Sequence, residues 1–230
     1  MAISFSLGKD VFELIYPVTC LVCGDRVGED SQLCTYCLKY AFEPANAGGM
    51  ESCDGIILPD WIVMQDSLWE FDKGGFLQDI LHYAKYNGFA SLCVVLGREL
   101  GYKIRYNRWL DSRRSVILLP VPLHPARQRK RGYNQSAKIA EGIAEVTGSA
   151  VADSKSVVRV RNTRTQTGLN STLRWENTLN AFSLNRGEVF NGQTVLIVDD
   201  IITTGATTLE LAKIVRDHCA SVGIVTVARA

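Results

Sequence analysis

The most chemically informative segment of this chain is residues 195–208, which read VLIVDDIITTGATT. Four apolar residues at 195–198 predict a fully buried strand, and Asp199 and Asp200 follow where that strand would leave a sheet. The next residues lead into a helical pattern and include Thr203, Thr204, Gly205, Ala206 and Thr207. Backbone N–H groups at a helix start can hold a phosphate, while ionised carboxylates accept hydrogen bonds from hydroxyls or hold a hydrated divalent cation. The segment therefore indicates a site for a phosphate on a polyol, and the alternative is a buried strand with an acidic turn.

A second candidate loop follows the strand predicted at 116–119. Prolines at 120, 122 and 125 stiffen this loop, which contains Val121 and Pro122. A basic cluster comes next, made of Arg127, Arg129, Lys130 and Arg131. It lies just before a helix predicted at 133–147, where positive charge beside free backbone N–H groups favours an anion site. A solvated run of charge is the alternative.

Paired cysteines near the N-terminus predict a structural zinc site. The pattern is CxxC, ten residues, then CxxC, and its members are Cys20, Cys23, Cys34 and Cys37. Each pair supplies two thiolates from one tight turn, and four thiolates leave no position for a catalytic water. The metal would then fold roughly residues 17–45, a segment too short for its own core. Two disulfides, which a reducing cytoplasm disfavours, and a redox-active CxxC are the alternatives.

Composition sets limits on the class of protein. The 230 residues allow one large domain, or a core domain with an appendage, and 47% of them are hydrophobic. A net charge of +1 provides no global field toward nucleic acid or membrane. No apolar run is long enough to span a bilayer, and the N-terminus lacks the pattern of a secretory signal. We therefore expect a cytoplasmic protein.

From residue 115 onward the pattern alternates strands with helices, which predicts an α/β fold with a parallel sheet flanked by helices. The predicted strands are 116–119, 157–160, 195–198 and 222–227. The predicted helices are 76–86, about 90–106, 133–147 and 206–219, with weak helical character at 170–180. Residues 55–72 look like a small β element that links the cysteine segment to the core. The predicted domains are 1–50, 51–114 and 115–230.

The segment 195–208 resembles the 5-phosphoribosyl-1-pyrophosphate (PRPP) motif of type I phosphoribosyltransferases. In that family, residues matching Asp199 and Asp200 contact the ribose hydroxyls, and those matching 203–207 wrap the 5-phosphate. Together with 120–124 (PVPLH), 131–135 (RGYNQ) and the four cysteines, the chain resembles the ComF/GntX-like family over nearly its whole length. These are zinc-ribbon proteins with a phosphoribosyltransferase domain, linked in several bacteria to natural competence and DNA uptake.

The resemblance implies a Mg²⁺-dependent transfer of the phosphoribosyl group from PRPP to a nitrogen acceptor. The loop 120–125 would then be the pyrophosphate loop. The block 161–168, with Arg161, Arg164 and Gln166, would lie where type I enzymes carry a mobile loop, although a polar connector is the alternative. The acceptor pocket should come from residues before 115, and nothing there identifies a base.

Three functional hypotheses share this fold: an active phosphoribosyltransferase, a PRPP sensor without catalysis, and a single-stranded DNA contact in a competence apparatus. DNA contact needs aromatic side chains among basic ones, and in the basic cluster only Tyr133 is interleaved. His124, beside prolines, is expected to orient the loop by a hydrogen bond rather than to act as a general base.

Overall fold

The computed structural model describes residues 17–28, 31–45, 58–86, 89–110, 115–162 and 178–230. The chain divides into two compact units, Met1–Glu43 and Pro44–Ala230. In the first unit, the cysteine-bearing turns precede a short helix, α1 (Thr35–Tyr40). Cys34 caps that helix, because its sulfur accepts a hydrogen bond from the Cys37 backbone N–H at 3.3 Å.

The second unit is built on a five-stranded parallel sheet. The strands described in the chain are β1 (Ile62–Glu70), β2 (Val116–Pro120), β3 (Ala150–Val151), β4 (Val157–Arg159), β5 (Phe182–Leu184), β6 (Thr194–Ile202) and β7 (Ser221–Arg229). The sheet has the order β1-β7-β6-β2-β3, and all its pairs are parallel. This confirms the predicted fold class.

Helices cover both faces of the sheet. After α1, the described helices are α2 (Phe76–Tyr86), α3 (Ala90–Tyr106), α4 (Pro125–Arg131), α5 (Gln135–Thr147) and α6 (Ala206–Val215). Val195 and Ile197 of β6 share a core with Leu211 of α6. Leu196 alternates to the other face, and it lies near Trp109, which follows α3. The sheet is therefore buried on both faces, as its continuous apolar strands require.

The β element expected at 55–72 is a strand of the core sheet, so the prediction of a separate linking element is wrong. β1 pairs in parallel with β7 along the edge of the sheet. Polar residues in its middle hid the strand from sequence patterning. Asp66 is paired with Lys103 at 2.9 Å and accepts from Asn107 at 3.1 Å, while the Ser67 hydroxyl lies 2.6 Å from that of Thr226. Partners distant in sequence thus make these polar groups acceptable in a buried strand.

Three other elements differ from the prediction. The strand expected at 157–160 is β4, which pairs antiparallel with β5 outside the parallel sheet. The basic cluster forms helix α4 rather than a loop, because Pro125 suits a first helical turn and His124 Nδ1 caps it by accepting from the Ala126 N–H at 3.2 Å. The helix expected at 206–219 ends at Val215, before a 3₁₀ turn. Most of the weak helix at 170–180 lies outside the described residues.

Two glycines allow α3 and α5 to cross with their backbones in contact. A Cβ on Gly97 would lie 2.1 Å from the Ile139 carbonyl oxygen, and one on Gly142 would lie 2.1 Å from the Val94 carbonyl oxygen. No side chain fits at either distance. The crossing sets where α5 begins, and the residues that begin α5 reach the carboxyl end of β6, as described below.

We expect Gly142→Ala to lower the free energy of unfolding by about 2 kcal/mol or more, because the added methyl must push α3 and α5 apart. The gain in helix propensity, about 1 kcal/mol, offsets only part of this loss. Urea unfolding followed by circular dichroism would measure it. Glu141→Ala, which removes an exposed ion pair on the same helix, is the matched control and should cost less than about 1 kcal/mol. Equal stability of Gly142→Ala and wild type would contradict the close crossing.

Candidate functional site

Asp199 and Asp200 lie near the carboxyl end of β6, and the protein orients both carboxylates. Asp199 Oδ1 accepts from the Ser136 hydroxyl at 2.8 Å and from the Asp200 N–H at 2.9 Å. Asp200 Oδ1 accepts from the Ile201 N–H at 3.0 Å, while its Oδ2 lies 2.6 Å from the Lys85 ammonium. These contacts hold the acid pair in a defined geometry before any ligand binds.

The acid pair resists full ionisation. Burial, and next the charge of Asp200, raise the pKa of Asp199 to about 7, although hydrogen bonds from Ser136 and the Asp200 N–H and the charge of Lys85 act in the opposite direction. Two adjacent carboxylates in a half-buried site repel each other when both are ionised, so the pair holds one proton more strongly than an isolated carboxyl group would. Near neutral pH Asp199 is therefore only partly ionised, and its charge would respond to a ligand that binds beside it.

Lys85 is a site residue that sequence reasoning missed. It lies in the last turn of α2, and although burial lowers its pKa, the carboxylates of Asp200 and Asp199 outweigh that effect and raise the pKa overall. The available signal was weak: Lys85 follows Leu81 and Ala84 at the border of a buried helical face. A lysine in that position reads equally well as the end of an amphipathic helix.

The segment 131–136 ties three elements to the acid pair. The Tyr133 hydroxyl and the Gln135 side-chain amide both donate to the Ala84 carbonyl, the latter at 3.3 Å. The Asn134 amide donates to the Val121 carbonyl at 3.0 Å, and its oxygen caps α5. Ser136 then reaches Asp199. One short motif thus fixes the end of α2, the loop after β2 and the carboxylates.

The segment 203–207 joins β6 to α6 in the predicted order. Gly205 has a φ of +69°, a left-handed conformation that a residue with a side chain adopts only with strain, and Ala206 begins the helix. The Thr204 hydroxyl lies 3.5 Å from the Ala206 N–H, and the Thr208 hydroxyl donates to the Gly205 carbonyl at 3.1 Å. Thr203, Thr204 and Thr207 are half-buried, and Gly205 and Ala206 are buried. A helix N-terminus therefore lies next to the acid pair, as expected.

The loop after β2 lies beside the acid pair because β2 and β6 are neighbours in the sheet. Pro120 pairs with Val198, and the Val121 N–H donates to the Val198 carbonyl at 2.9 Å, one residue before Asp199. Val121 is buried and Pro122 is half-buried. The two loops singled out from the sequence are thus brought together at one edge of the sheet.

The basic cluster is not uniform once it is folded into α4. Arg129 and Lys130 are exposed, whereas Arg127 and Arg131 are half-buried. Arg131 donates to the Gln135 side-chain oxygen at 3.0 Å, and its charge acts on Lys85. This separates two half-buried arginines, of which Arg131 acts electrostatically on Lys85, from two exposed cations.

Arg159 of β4 is a second residue that the sequence did not single out. Arg159 is only 8% exposed, and the central carbon of its guanidinium lies 5.3 Å from the centroid of the Phe182 ring. Burial and the charge of Arg127 lower its pKa to about 10, while Asp199 acts in the opposite direction. Arg159 therefore lies within electrostatic reach of both Arg127 and Asp199. An arginine in a three-residue strand offers no local signal of such a role.

Of the expected mobile-loop residues, only Arg161 is described. It is exposed, and its guanidinium donates to the Leu179 carbonyl at 2.7 Å. Arg164 and Gln166 lie outside the described residues.

The four cysteines predicted as metal ligands converge. All four sulfurs lie within 4.8 Å of one another, and those of Cys23 and Cys34 are 3.7 Å apart. Zinc–sulfur bonds of about 2.3 Å in a tetrahedron place sulfurs at about this separation. Burial raises the pKa of Cys20, but backbone N–H groups of Cys23, Cys34 and Val22 outweigh it and lower that pKa to about 6. The cluster could hold a metal such as zinc.

The described helices include none that is long and apolar enough to cross a membrane.

Comparison with known proteins gives results consistent with this site. Residues 117–230 match the phosphoribosyl transferase domain family, a span that contains both loops and the acid pair. The DNA utilization protein YhgH of Salmonella typhimurium is 32% identical over 212 residues, which cover 89% of this chain and 87% of that protein. The Escherichia coli K12 protein of the same name is 30% identical, with the same coverage. Competence protein F of Haemophilus influenzae is 39% identical over 43% of each chain.

Among solved structures, the chain is similar to a hypoxanthine-guanine phosphoribosyltransferase from Schistosoma mansoni in complex with IMP. The identity is 17% and the TM-score 0.29, over 60% of this chain and 54% of that one.

Proposed function

Because the chain belongs to the ComF/GntX-like family of proteins with a phosphoribosyl transferase domain, we propose that it binds PRPP with Mg²⁺ and transfers the phosphoribosyl group to a nitrogen acceptor. The observation that carries the proposal is the convergence of two strand-end loops on one oriented acid pair. β2 ends opposite Val198 of β6, one residue before the acid pair, and Ser136 fixes Asp199 beside the loop that follows β2.

Each part of this convergence suits one part of PRPP. Asp199 and Asp200 would accept from the ribose hydroxyls and favour the positive charge that develops on the ring when the bond from C1 to the pyrophosphate oxygen breaks. The segment 203–207 would hold the 5-phosphate at the start of α6. The loop with Val121 and Pro122 would receive the leaving pyrophosphate, together with Arg127 and Arg131. Arg129 and Lys130 are exposed and would contribute only long-range charge.

The chemistry needs positioning and no covalent nucleophile from the protein. Mg²⁺ would neutralise pyrophosphate charge, held by ligand oxygens and water. We further propose that Arg161, Arg164 and Gln166 would contact the leaving group. A cytoplasmic location fits it, because clustered cysteine thiols persist in a reducing compartment.

We expect Asp199→Asn to weaken Mg²⁺–PRPP binding by about tenfold or more at pH 8, equivalent to about 1.4 kcal/mol, because the amide keeps the shape but loses the charge. Wild-type affinity should also rise as the pH increases through about 7, because Asp199 loses its proton over this range, and the variant should lack this component. Isothermal titration calorimetry would measure both. Asp217→Asn is the control, since Asp217 lies just before β7 begins, at the amino-terminal end of the parallel strands and away from the acid pair. Equal binding by Asp199→Asn and wild type would remove the acid pair from the site.

Catalysis itself is tested by following pyrophosphate release from PRPP with a panel of bases and amines. Release with one acceptor, lost in Asp199→Asn, would support the transferase. Tight PRPP binding without release across the panel would instead favour the PRPP sensor.

Zinc in the cysteine cluster is part of the proposal, and the arrangement of four sulfurs supports it. We expect about one zinc per chain by plasma mass spectrometry, and its loss in Cys34→Ser, because three thiolates leave the tetrahedron incomplete. Chelation should unfold the first unit and leave the parallel sheet intact. Cys219→Ser, a change outside the cluster, should retain the metal. A purified wild-type protein with no bound metal and an unchanged melt on chelation would contradict the zinc site.

A single-stranded DNA contact is a second candidate, and the surface of α1 favours it. Tyr36 and Tyr40 are 71% and 62% exposed, and their ring centroids are 5.1 Å apart. Lys39 Nζ lies 5.3 Å from the Tyr40 ring. Exposed aromatics beside a cation suit stacked bases and a phosphate backbone. The relatives named for DNA utilization and competence agree with a role in DNA uptake.

If this surface binds DNA, Tyr36→Ala should weaken binding of an oligothymidine by about tenfold, because stacking on an aromatic ring contributes about 1–3 kcal/mol per base. Fluorescence anisotropy at two salt concentrations would measure the affinity, which should fall as salt rises. Tyr106→Ala, at an exposed tyrosine of α3, is the matched control. Equal loss in both variants, or affinity independent of salt, would argue against α1 as the contact.

A further inference from the structure

One oxygen of the Asp200 carboxylate is covered by a lysine. Asp200 Oδ2 is inaccessible to solvent, and the Lys85 ammonium lies 2.6 Å from it. The other oxygen of the same carboxylate is engaged by the Ile201 N–H. Both oxygens of Asp200 are therefore in use by the protein, and a ligand hydroxyl reaches Oδ2 only if the Lys85 side chain moves.

The backbone beneath Lys85 is held in place, so the side chain alone can make this movement. Tyr133 and Gln135 both donate to the carbonyl of Ala84, the preceding residue. The four-carbon chain of lysine is flexible enough to redirect its ammonium without moving α2. The Lys85 ammonium can therefore move away from Asp200 while α2 stays in place.

Nearby arginines indicate where an anionic group of the ligand would bind, and the Lys85 ammonium would move toward that anion. Arg131 acts electrostatically on Lys85, and Arg127 acts on Arg159, which also feels Asp199. Lys85 thus contacts the acid pair and lies within electrostatic reach of Arg131. An anion that binds near those arginines offers Lys85 a new partner at the moment it leaves Asp200.

We propose that Lys85 is a specificity-determining residue, which releases Asp200 in exchange for the 1-pyrophosphate of the ligand. This inference rests on the PRPP-binding function proposed above. PRPP supplies both hydroxyls for the acid pair and an anion for Lys85. Ribose 5-phosphate supplies only the hydroxyls, so its binding breaks the Lys85–Asp200 ion pair without replacing it. Separating a largely buried ion pair is unfavourable unless each charge finds a new partner.

The test compares two ligands that differ in the pyrophosphate. Binding of PRPP and of ribose 5-phosphate, each with Mg²⁺, would be measured by calorimetry for wild type, Lys85→Met and Lys85→Arg. We expect Lys85→Met to lower the preference for PRPP over ribose 5-phosphate by at least about tenfold, the size of one charge-assisted contact. Ribose 5-phosphate should bind more tightly to that variant, because the cover on Asp200 is gone. Lys85→Arg, which keeps the charge, should retain the preference within about threefold.

Lys138→Met is the matched control, because it removes another lysine ion pair, 2.7 Å long, from the surface of α5. It should leave the preference unchanged. Equal weakening of both ligands by Lys85→Met would overturn the exchange and make Lys85 a purely structural partner of Asp200, while PRPP binding itself still stands. If Lys85→Met does not fold, Lys85→Gln provides the same comparison. Absence of PRPP binding by the wild type would remove the proposed function, and the role of Lys85 with it.

Discussion

Two adjacent carboxylates in a half-buried position are unstable unless the surrounding protein compensates them, and the second unit of this protein is organised around that compensation. Hydrogen bonds from Ser136 and two backbone N–H groups, and an ion pair with Lys85, satisfy three of the four oxygens of Asp199 and Asp200. The compensation is incomplete, since the pKa of Asp199 remains raised to about 7. A site whose carboxylate charges are only partly compensated can respond to a ligand that brings hydroxyl donors or positive charge.

The compensating groups come from elements that the fold must bring together accurately. Ser136 begins α5, whose position is set by contact of its backbone with α3 at Gly97 and Gly142. Lys85 ends α2, which the side chains of Tyr133 and Gln135 hold through one carbonyl. The segment 131–136 therefore serves as a support for the site, and a change there would displace the carboxylates, Lys85 and the loop after β2 together. This explains how a stretch with no evident chemistry of its own can matter to binding.

The family match and the geometry of the site support the proposed PRPP ligand more strongly than the proposed transfer reaction. The loops and acid pair all lie within the matched phosphoribosyl transferase domain, whereas Lys85 and the cysteine cluster lie before it. The charge that covers Asp200 thus comes from outside the matched span. The relatives are named for DNA utilization and competence, and the proposed DNA contact rests on the exposed tyrosines of α1.

Chemistry that is local in the chain was determined by the sequence alone. The strand, acid pair, glycine and helix start at 195–208, the stiff loop at 120–125 and the four cysteines each lie within a short segment, so residue types and spacing were sufficient to place them. Lys85, Arg159 and the polar strand β1 were decided only by the tertiary structure. Their partners are Asp200, Asp199 and Lys103, which lie on other elements far along the chain. A buried charge is stable only beside its partner, and a pairing between distant elements leaves no periodic pattern in either segment.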